Sequence, residues 1–235
     1  MKLKTCVCLT LLACLLSSDF VFAAELDTAV QDTAAYLLET VKNPGTGAVG
    51  GEWAVLGLAR SGYAVPEAFY SSYYHNAEAY VLKNEGDLQA QKFTEYARMT
   101  LALSAIGADP RNIGGVDLLL PLADYKKTVW QGVNGAILAL LALDSREYAI
   151  PQNPEAEVQA TRESYLEKIL ESQLPSGGFS LTKDADPDLT GMALQALEKY
   201  QDREAVQKAA ERAFSCLSEL QNQDGGFESW GTANL

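Results

Sequence analysis

Histidine is almost missing from this sequence, since His75 is the single one among 235 residues. Nucleophilic triads and most catalytic zinc sites need a histidine in a defined partner context. Cys216 is the other candidate ligand, but the spacing of the two residues matches no metal-binding pattern. The sequence therefore predicts no metal centre, no cofactor and no catalytic residue. We expect His75 to be a surface or packing residue and Cys216 a buried apolar filler.

Cysteine is scarce as well, and its placement excludes a disulfide framework. Three of the four cysteines, Cys6, Cys8 and Cys14, lie in the first 14 residues. Those residues have the layout of an export signal: a positive start, an apolar run and the small residues Val21-Phe22-Ala23. Cleavage after Ala23 would leave Cys216 alone, so no intrachain disulfide is expected. The apolar run is too short for a membrane span, which needs roughly 20 apolar residues.

The export signal predicts a secreted or cell-surface protein of a Gram-positive-like bacterium, with residues 1–23 as the signal and 24–235 as the mature domain. An alternative stays open, because Leu11-Leu12-Ala13 precedes Cys14 as in a lipoprotein signal. That alternative would anchor the chain through Cys14.

Positive charge is in short supply, with 18 Lys and Arg against 31 Asp and Glu and a net charge of −13. A negative surface repels phosphate backbones and anionic bilayers, which argues against a nucleic-acid or membrane partner. A neutral or cationic ligand is the better match. The alternative is that the acidity merely keeps an exported protein soluble.

The period-two alternation of a half-buried strand is missing too, whereas helical periodicity is present almost throughout. The fold class predicted is all-α. The predicted helices are 26–41, 52–61, 66–82, 91–106, 116–122, 131–143, 154–171, 188–200 and 203–220.

Two signals recur along these helices and indicate stacked helical hairpins. Short helices rich in Leu and Ala recur at positions 56, 101, 138 and 192. A Gln-x-x-x-Gly-Gly-Phe turn occurs at Gln173 and again at Gln221. Small residues let helices approach closely, so we expect these helices to form an inner layer. The longer charged helices at 154–171 and 203–220 would lie outside. Such hairpins form a ring or a solenoid, and the irregular spacing favours a ring.

Several stretches of the sequence resemble the prenyltransferase and squalene-oxidase repeat proteins that clostridia and their relatives export. They are residues 50–62, 131–135, 186–197 and 225–231, and the resemblance covers nearly all of 24–235. It implies an α/α toroid, the fold of terpene cyclases, protein prenyltransferase β subunits, complement thioester domains and vitamin B12 carriers. Members of this family usually continue past the position of Leu235 into further helices and often a β domain. The expectation is therefore a partial, incompletely closed toroid with a cell-wall or β-domain partner beyond it.

The catalytic motifs of the resembling enzymes are not found in the sequence. A squalene-type cyclase needs Asp-x-Asp-Asp, whereas the nearest stretch, Asp184 to Asp188, spaces its carboxylates differently. That stretch also lacks the register of an EF-hand calcium loop, and we expect Asp188 to cap a helix. The Gly-Cys-Gly-Glu-Gln stretch of thioester domains is missing too. The enzyme alternative, a degenerate terpene-cyclase or prenyltransferase relative acting on an isoprenoid, is therefore disfavoured.

Ligand binding is the function that remains, at a rim formed by the first residues of the inner helices. Aromatic faces with interspersed amides and carboxylates suit a small apolar or planar ligand. A corrinoid resembling vitamin B12 is the sharpest expectation, by the likeness to B12 carriers; a cell-surface adhesion scaffold is a further alternative. The predicted rim residues are Glu52, Trp53, Glu95, Tyr96, Gln131, Asn134, Asp188, Thr190 and Trp230.

Overall fold

The computed structural model describes residues 26–47, 50–88, 92–229 and 232–234. This part of the chain is mostly helical, which confirms the all-α class. The predicted export signal, Cys14 and Trp230 lie outside the described residues. The helices are α1 (26–40), α2 (Glu52–Arg60), α3 (Glu67–Lys83), α4 (Thr94–Ala105), α5 (Tyr125–Thr128), α6 (Val133–Asp144), α7 (Arg162–Glu171), α8 (Pro187–Leu197) and α9 (Glu204–Leu220). Single 3₁₀ turns cover Pro121–Ala123, Val129–Gln131 and Glu198–Tyr200.

The four small-residue helices form one row, in which α2 packs on α4, α4 on α6 and α6 on α8. We call this the central row. One of its two inner members is α6, of whose 12 residues nine are buried. The charged helices cover one side of it, since α7 packs on α6 and α9 packs on both α8 and α7. The repeated Leu-Ala pattern therefore marks the helices that are neighbours in space, although each of the three connections between them contains another helix.

Two helix predictions are wrong at this level of detail. Residues 116–120 are not helical, because Ile113 and Val116 pair as an isolated antiparallel bridge across the two left-handed glycines between them. Residues 154–161 are also not helical, since Gln159 pairs with Asp124 and the Ala160 N–H donates to the Ala123 carbonyl. Helix α7 begins only at Arg162, behind a capping box.

The start of α8 also differs from the sequence prediction, and the structure contains a short hairpin that the sequence does not predict. The cap of α8 is Asp186, whose Oδ1 accepts from the Leu189 N–H at 2.8 Å, and not Asp188. The reason is Pro187, which fits the first helical position and moves the cap one residue earlier. Two short antiparallel strands, β1 (Phe227–Ser229) and β2 (Thr232–Asn234), follow α9.

The two Gly-Gly-Phe turns share the same hydrogen bond from the glutamine side chain to the carbonyl of the first glycine. Gln173 Nε2 donates to the Gly177 carbonyl at 2.7 Å, and Gln221 Nε2 donates to the Gly225 carbonyl at 2.9 Å. The first glycine of each pair is left-handed, with φ of +92° and +85°. Phe179 after the first turn is completely buried. The sequence repeat is thus a structural repeat, with glycine required where the turn reverses.

Several tyrosines are buried in the protein, and burial raises the pKa of their hydroxyls. Burial, followed by the charge of Glu52, raises the pKa of Tyr73 well above its usual value of 10.0. Burial likewise raises the pKa of Tyr165, whose hydroxyl donates to the Leu122 carbonyl at 2.5 Å. Burial and the hydrogen bond to Asp144 do the same for Tyr200. These phenols therefore keep their protons in the native state at a pH where an unfolded chain loses them.

Raising the pH above about 10 is expected to destabilise the protein. The unfolded state then binds fewer protons than the native state, so the free energy of unfolding falls by about 1.4 kcal/mol per pH unit for each such phenol. Urea unfolding between about pH 9 and pH 11 measures this slope. Tyr73→Phe should make it shallower by one phenol. It should leave the stability at neutral pH nearly unchanged, since the Tyr73 hydroxyl has no hydrogen-bond partner among the described residues.

The matched control for this variant is Tyr36→Phe, because the Tyr36 side chain is largely exposed on α1. It should leave the slope as it is in the parent protein. An unchanged slope in Tyr73→Phe would show that this phenol ionises alike in both states.

Candidate ligand-binding cavity

A cavity of about 610 Å³ lies on one side of the central row. Its lining comes from all four helices of the row, with α2 and α8 included. Because the two ends of the row line the same cavity, the row curves around it. The lining residues are Trp53, Leu56, Gly57, Arg60, Leu101, Leu141, Asp144, Ser145, Gln195, Ala196, Glu198 and Lys199. We call this space the row cavity.

The α2 wall of the row cavity follows directly from helical spacing. Trp53, Leu56, Gly57 and Arg60 are separated by three, one and three residues, which places them on one helix face. The Trp53 side chain is 43 % exposed. Gly57 leaves room beside the indole, since an added Cβ there would meet no atom within 4 Å. Along the helix axis, this face therefore offers first an aromatic surface, then open space and then one cation.

The floor of the row cavity is apolar, whereas its mouth carries charge. Leu56, Leu101 and Leu141 provide the floor from three different helices. The charged side chains come from the last turns of the helices and from the residues just behind them. They are Arg60, Asp144, Glu198 and Lys199. A ligand with an apolar body and a few polar groups fits such a lining.

Asp144 is the most constrained of these charges, because the fold uses both of its carboxylate oxygens. Oδ1 accepts from Arg162 Nε and Oδ2 accepts from the Tyr200 hydroxyl, each at 2.7 Å. Arg162 also donates to the carbonyls of Leu143 and Tyr148, and so closes the end of α6. Asp144 is therefore a structural anchor of the cavity wall rather than a free proton acceptor.

Arg60 and Lys199 are the cations that a ligand could reach. No ion pair of Arg60 occurs within the described ranges of the chain. Lys199 Nζ is 2.9 Å from Glu147 Oε1, with both side chains largely exposed. An exposed pair of this kind contributes only about 0–1 kcal/mol. Lys199 can therefore exchange Glu147 for an anionic group of a ligand at little cost.

A second space of about 580 Å³ lies between α1 and α2 and adjoins the first at Gly57 and Arg60. Its lining is mainly aliphatic, with Val30, Leu37 and Leu58 among its walls. The row cavity is the better candidate site, because it combines an exposed indole with charges of both signs from several helices.

The predicted rim residues divide into one that lines the row cavity and others that support the fold. Trp53 lines the cavity. Glu52, one residue earlier, is buried and accepts from the Gly47 N–H at 2.9 Å. Gln131 Oε1 accepts from the Thr94 hydroxyl at 3.0 Å, which joins the start of α4 to the start of α6.

The other rim residues that the structure describes lie at helix starts and do not line the row cavity. Tyr96 is buried and its hydroxyl donates to the Gly86 carbonyl, while Glu95 Oε2 accepts from the Tyr80 hydroxyl at 3.4 Å. Thr190 is buried and its Oγ1 accepts from the Phe179 N–H at 2.9 Å. Asn134 is half-buried in the first turn of α6, and Asp188 is exposed in the first turn of α8.

Sequence reasoning missed the far ends of the central helices. The last residues of two Leu-Ala helices are Arg60 and Asp144, and Lys199 follows the end of α8 by two residues. That recurrence of a charge behind an apolar helix is the sequence signal that could have found them. In the sequence, the polar and aromatic residues at the helix starts form the more conspicuous pattern. The structure uses them largely for turns and contacts between helices.

Comparisons with protein-family models, with curated proteins and with solved structures give no match. The fold and the cavity define the class: an all-α protein with a curved row of four helices and a mixed apolar and charged cavity on its inner side. Among the residues that line this cavity there is no histidine and no cysteine. In the described part of the chain, no three His, Cys, Asp or Glu side chains are placed to hold a metal ion. None of the described helices has the length and apolar character of a membrane span.

Proposed function

We propose that this protein binds a small ligand non-catalytically in the row cavity, and that it does so outside the cell. The observation that carries the proposal is the row cavity itself, in which one exposed indole, an apolar floor and two reachable cations face the same space. Its volume lies within the roughly 300–1,000 Å³ of small-molecule sites. The export signal at residues 1–23 supports the extracellular location, with Cys14 as the lipoprotein alternative.

The curvature of the central row supports a further part of the proposal, that the chain is an α/α toroid of the prenyltransferase and squalene-oxidase repeat kind, in which α2, α4, α6 and α8 would be inner helices. In that arrangement the row cavity is the centre of the ring. A planar ligand with polar groups at its edge, such as a corrinoid, would place its ring system on Trp53 and its edge against Arg60 and Lys199.

An isoprenoid is the alternative ligand, because Arg60 and Lys199 would suit a diphosphate and the leucine floor would suit its chain. Catalysis on it is disfavoured by Asp144, whose carboxylate is already occupied by Arg162 and Tyr200. An adhesion scaffold is the other alternative, in which the row cavity stays unused.

A thermal-shift screen with cobalamin, cobinamide and prenyl diphosphates tests the proposal. A ligand at a hundred times its Kd stabilises the native state by about 2.7 kcal/mol, which corresponds to roughly 5–10 °C in Tm for a chain of this size. We expect such a shift for one of these classes, and we expect Trp53→Ala or Arg60→Gln to reduce it by more than half.

Trp130→Ala is the matched control, because Trp130 is exposed but does not line the row cavity. It should leave the shift intact. No shift with any of the ligands, or an equal loss in the Trp130 control, would remove the row cavity as their site. Turnover of a prenyl diphosphate would overturn the non-catalytic part of the proposal.

A further inference from the structure

A separate groove of about 290 Å³ lies on the outer helix α3. One wall is formed by Glu67, Tyr70, Ser71 and Tyr74, which helical spacing places on one face of α3. The opposite wall is the turn at 106–108, which follows α4. We call this the tyrosine groove, and it shares no lining residue with the row cavity.

The two tyrosine rings of the groove are held in place by their neighbours. Tyr70 meets the buried Phe69 edge-on, with ring centroids 5.8 Å apart. Tyr74 meets His75 edge-on at the same separation, and its hydroxyl is 3.4 Å from Glu78 Oε1. The aromatic faces are thus positioned before a ligand arrives, which lowers the entropy lost on binding.

Among the described residues that line the groove, the charged one is Glu67. Glu67 is exposed at its edge, and within the described ranges no cation pairs with it. Burial, followed by the charge of Glu67, raises the pKa of Tyr70, so its phenol stays neutral at physiological pH. The opposite wall carries no charged side chain. Arg111, a few residues further along, is tied to Asp109 at 2.8 Å.

Two neutral aromatic rings beside one carboxylate attract a cation, since the face of a tyrosine ring carries negative potential. A primary ammonium holds its water strongly and needs several acceptors to replace it. A methylated ammonium spreads its charge over methyl groups and needs none. We propose that the tyrosine groove binds a quaternary ammonium group of the choline class.

The test is a titration of the intact protein by NMR or calorimetry with choline, tetramethylammonium and 3,3-dimethyl-1-butanol, in buffers of matched ionic strength. The last compound is the neutral isostere of choline, with carbon in place of the charged nitrogen. We expect saturable binding of both cations and roughly tenfold weaker binding of the isostere.

Variants separate the ring faces and the carboxylate from general effects of the surface. Tyr70→Leu and Tyr74→Leu should each weaken choline binding by roughly threefold to tenfold, whereas Tyr70→Phe should retain it. Glu67→Gln should weaken binding and reduce its dependence on salt. The matched controls are Tyr36→Leu on α1 and Glu211→Gln on α9, both exposed and distant in sequence from the groove.

Any one of three results would overturn the proposal. One is no saturable binding of either cation to protein that is shown to be folded by circular dichroism. Another is equal binding of the neutral isostere, which would make the groove merely apolar. The third is a loss in the controls as large as in Tyr70→Leu.

Discussion

Replacing Gly135 by alanine is expected to destabilise the protein by about 3 kcal/mol or more, at or beyond the upper end of what overpacking a core usually costs. Gly135 lies in the first turn of α6, and an added Cβ would overlap the backbone carbonyl oxygen of Thr128. A flexible side chain could move aside, but this obstacle is main chain at the end of α5. The α5 segment would have to move away from α6, of whose 12 residues nine are buried.

Gly191→Ala is the matched control, since Gly191 also lies within a central helix, α8, and an added Cβ there meets no atom of the described residues within 4 Å. Alanine in a helix interior is favoured over glycine by about 0.5–1 kcal/mol, so this variant should be slightly more stable. Urea unfolding followed by circular dichroism measures both free energies. If Gly135→Ala stays within about 1 kcal/mol of the parent, the close approach of α5 and α6 is wrong.

Helices with a clear apolar stripe were predictable from this sequence because their period reports burial directly. The helix predicted at 203–220 matches α9 to within a residue, and the one at 52–61 matches α2. The Gly-Gly-Phe turn was also predictable, because a left-handed residue followed by a buried aromatic leaves a local pattern. Such features depend on interactions within a few residues of sequence.

The wrong helix prediction at 154–161 depends on a contact between residues distant in sequence. The stretch before Arg162 has helix-forming residues, but its backbone pairs with Asp124, and no local pattern records that pairing. The position of the row cavity was not predictable from the sequence for a related reason. Which end of the central helices borders the row cavity is decided by the curvature of the row, and helical period carries no information about curvature. Of the predicted rim residues that the structure describes, Trp53 is the one that lines the row cavity.

The repeated Gly-Gly-Phe turn offers a second large effect, with its own control built into the chain. Gly178→Ala is expected to destabilise the protein by about 2–3 kcal/mol. An added Cβ at Gly178 would be 2.5 Å from the Ala185 Cβ and 2.8 Å from Cys216 Sγ on α9. Its φ lies outside the left-handed region, so the effect would be purely steric.

Gly226 occupies the same place in the second turn, where the one side chain among the described residues that an added Cβ meets is Asp224, at 3.3 Å from its carboxylate. Gly226→Ala should therefore change the free energy of unfolding by about 0.5 kcal/mol or less. An equally large loss of unfolding free energy in both variants would show that the turn geometry itself requires the second glycine. Unequal effects would locate the requirement in the packing of the first turn on α9. The double variant Gly178→Ala with Cys216→Ala separates these further: it should be more stable than the sum of the single changes predicts, because removing the sulfur relieves one of the two collisions.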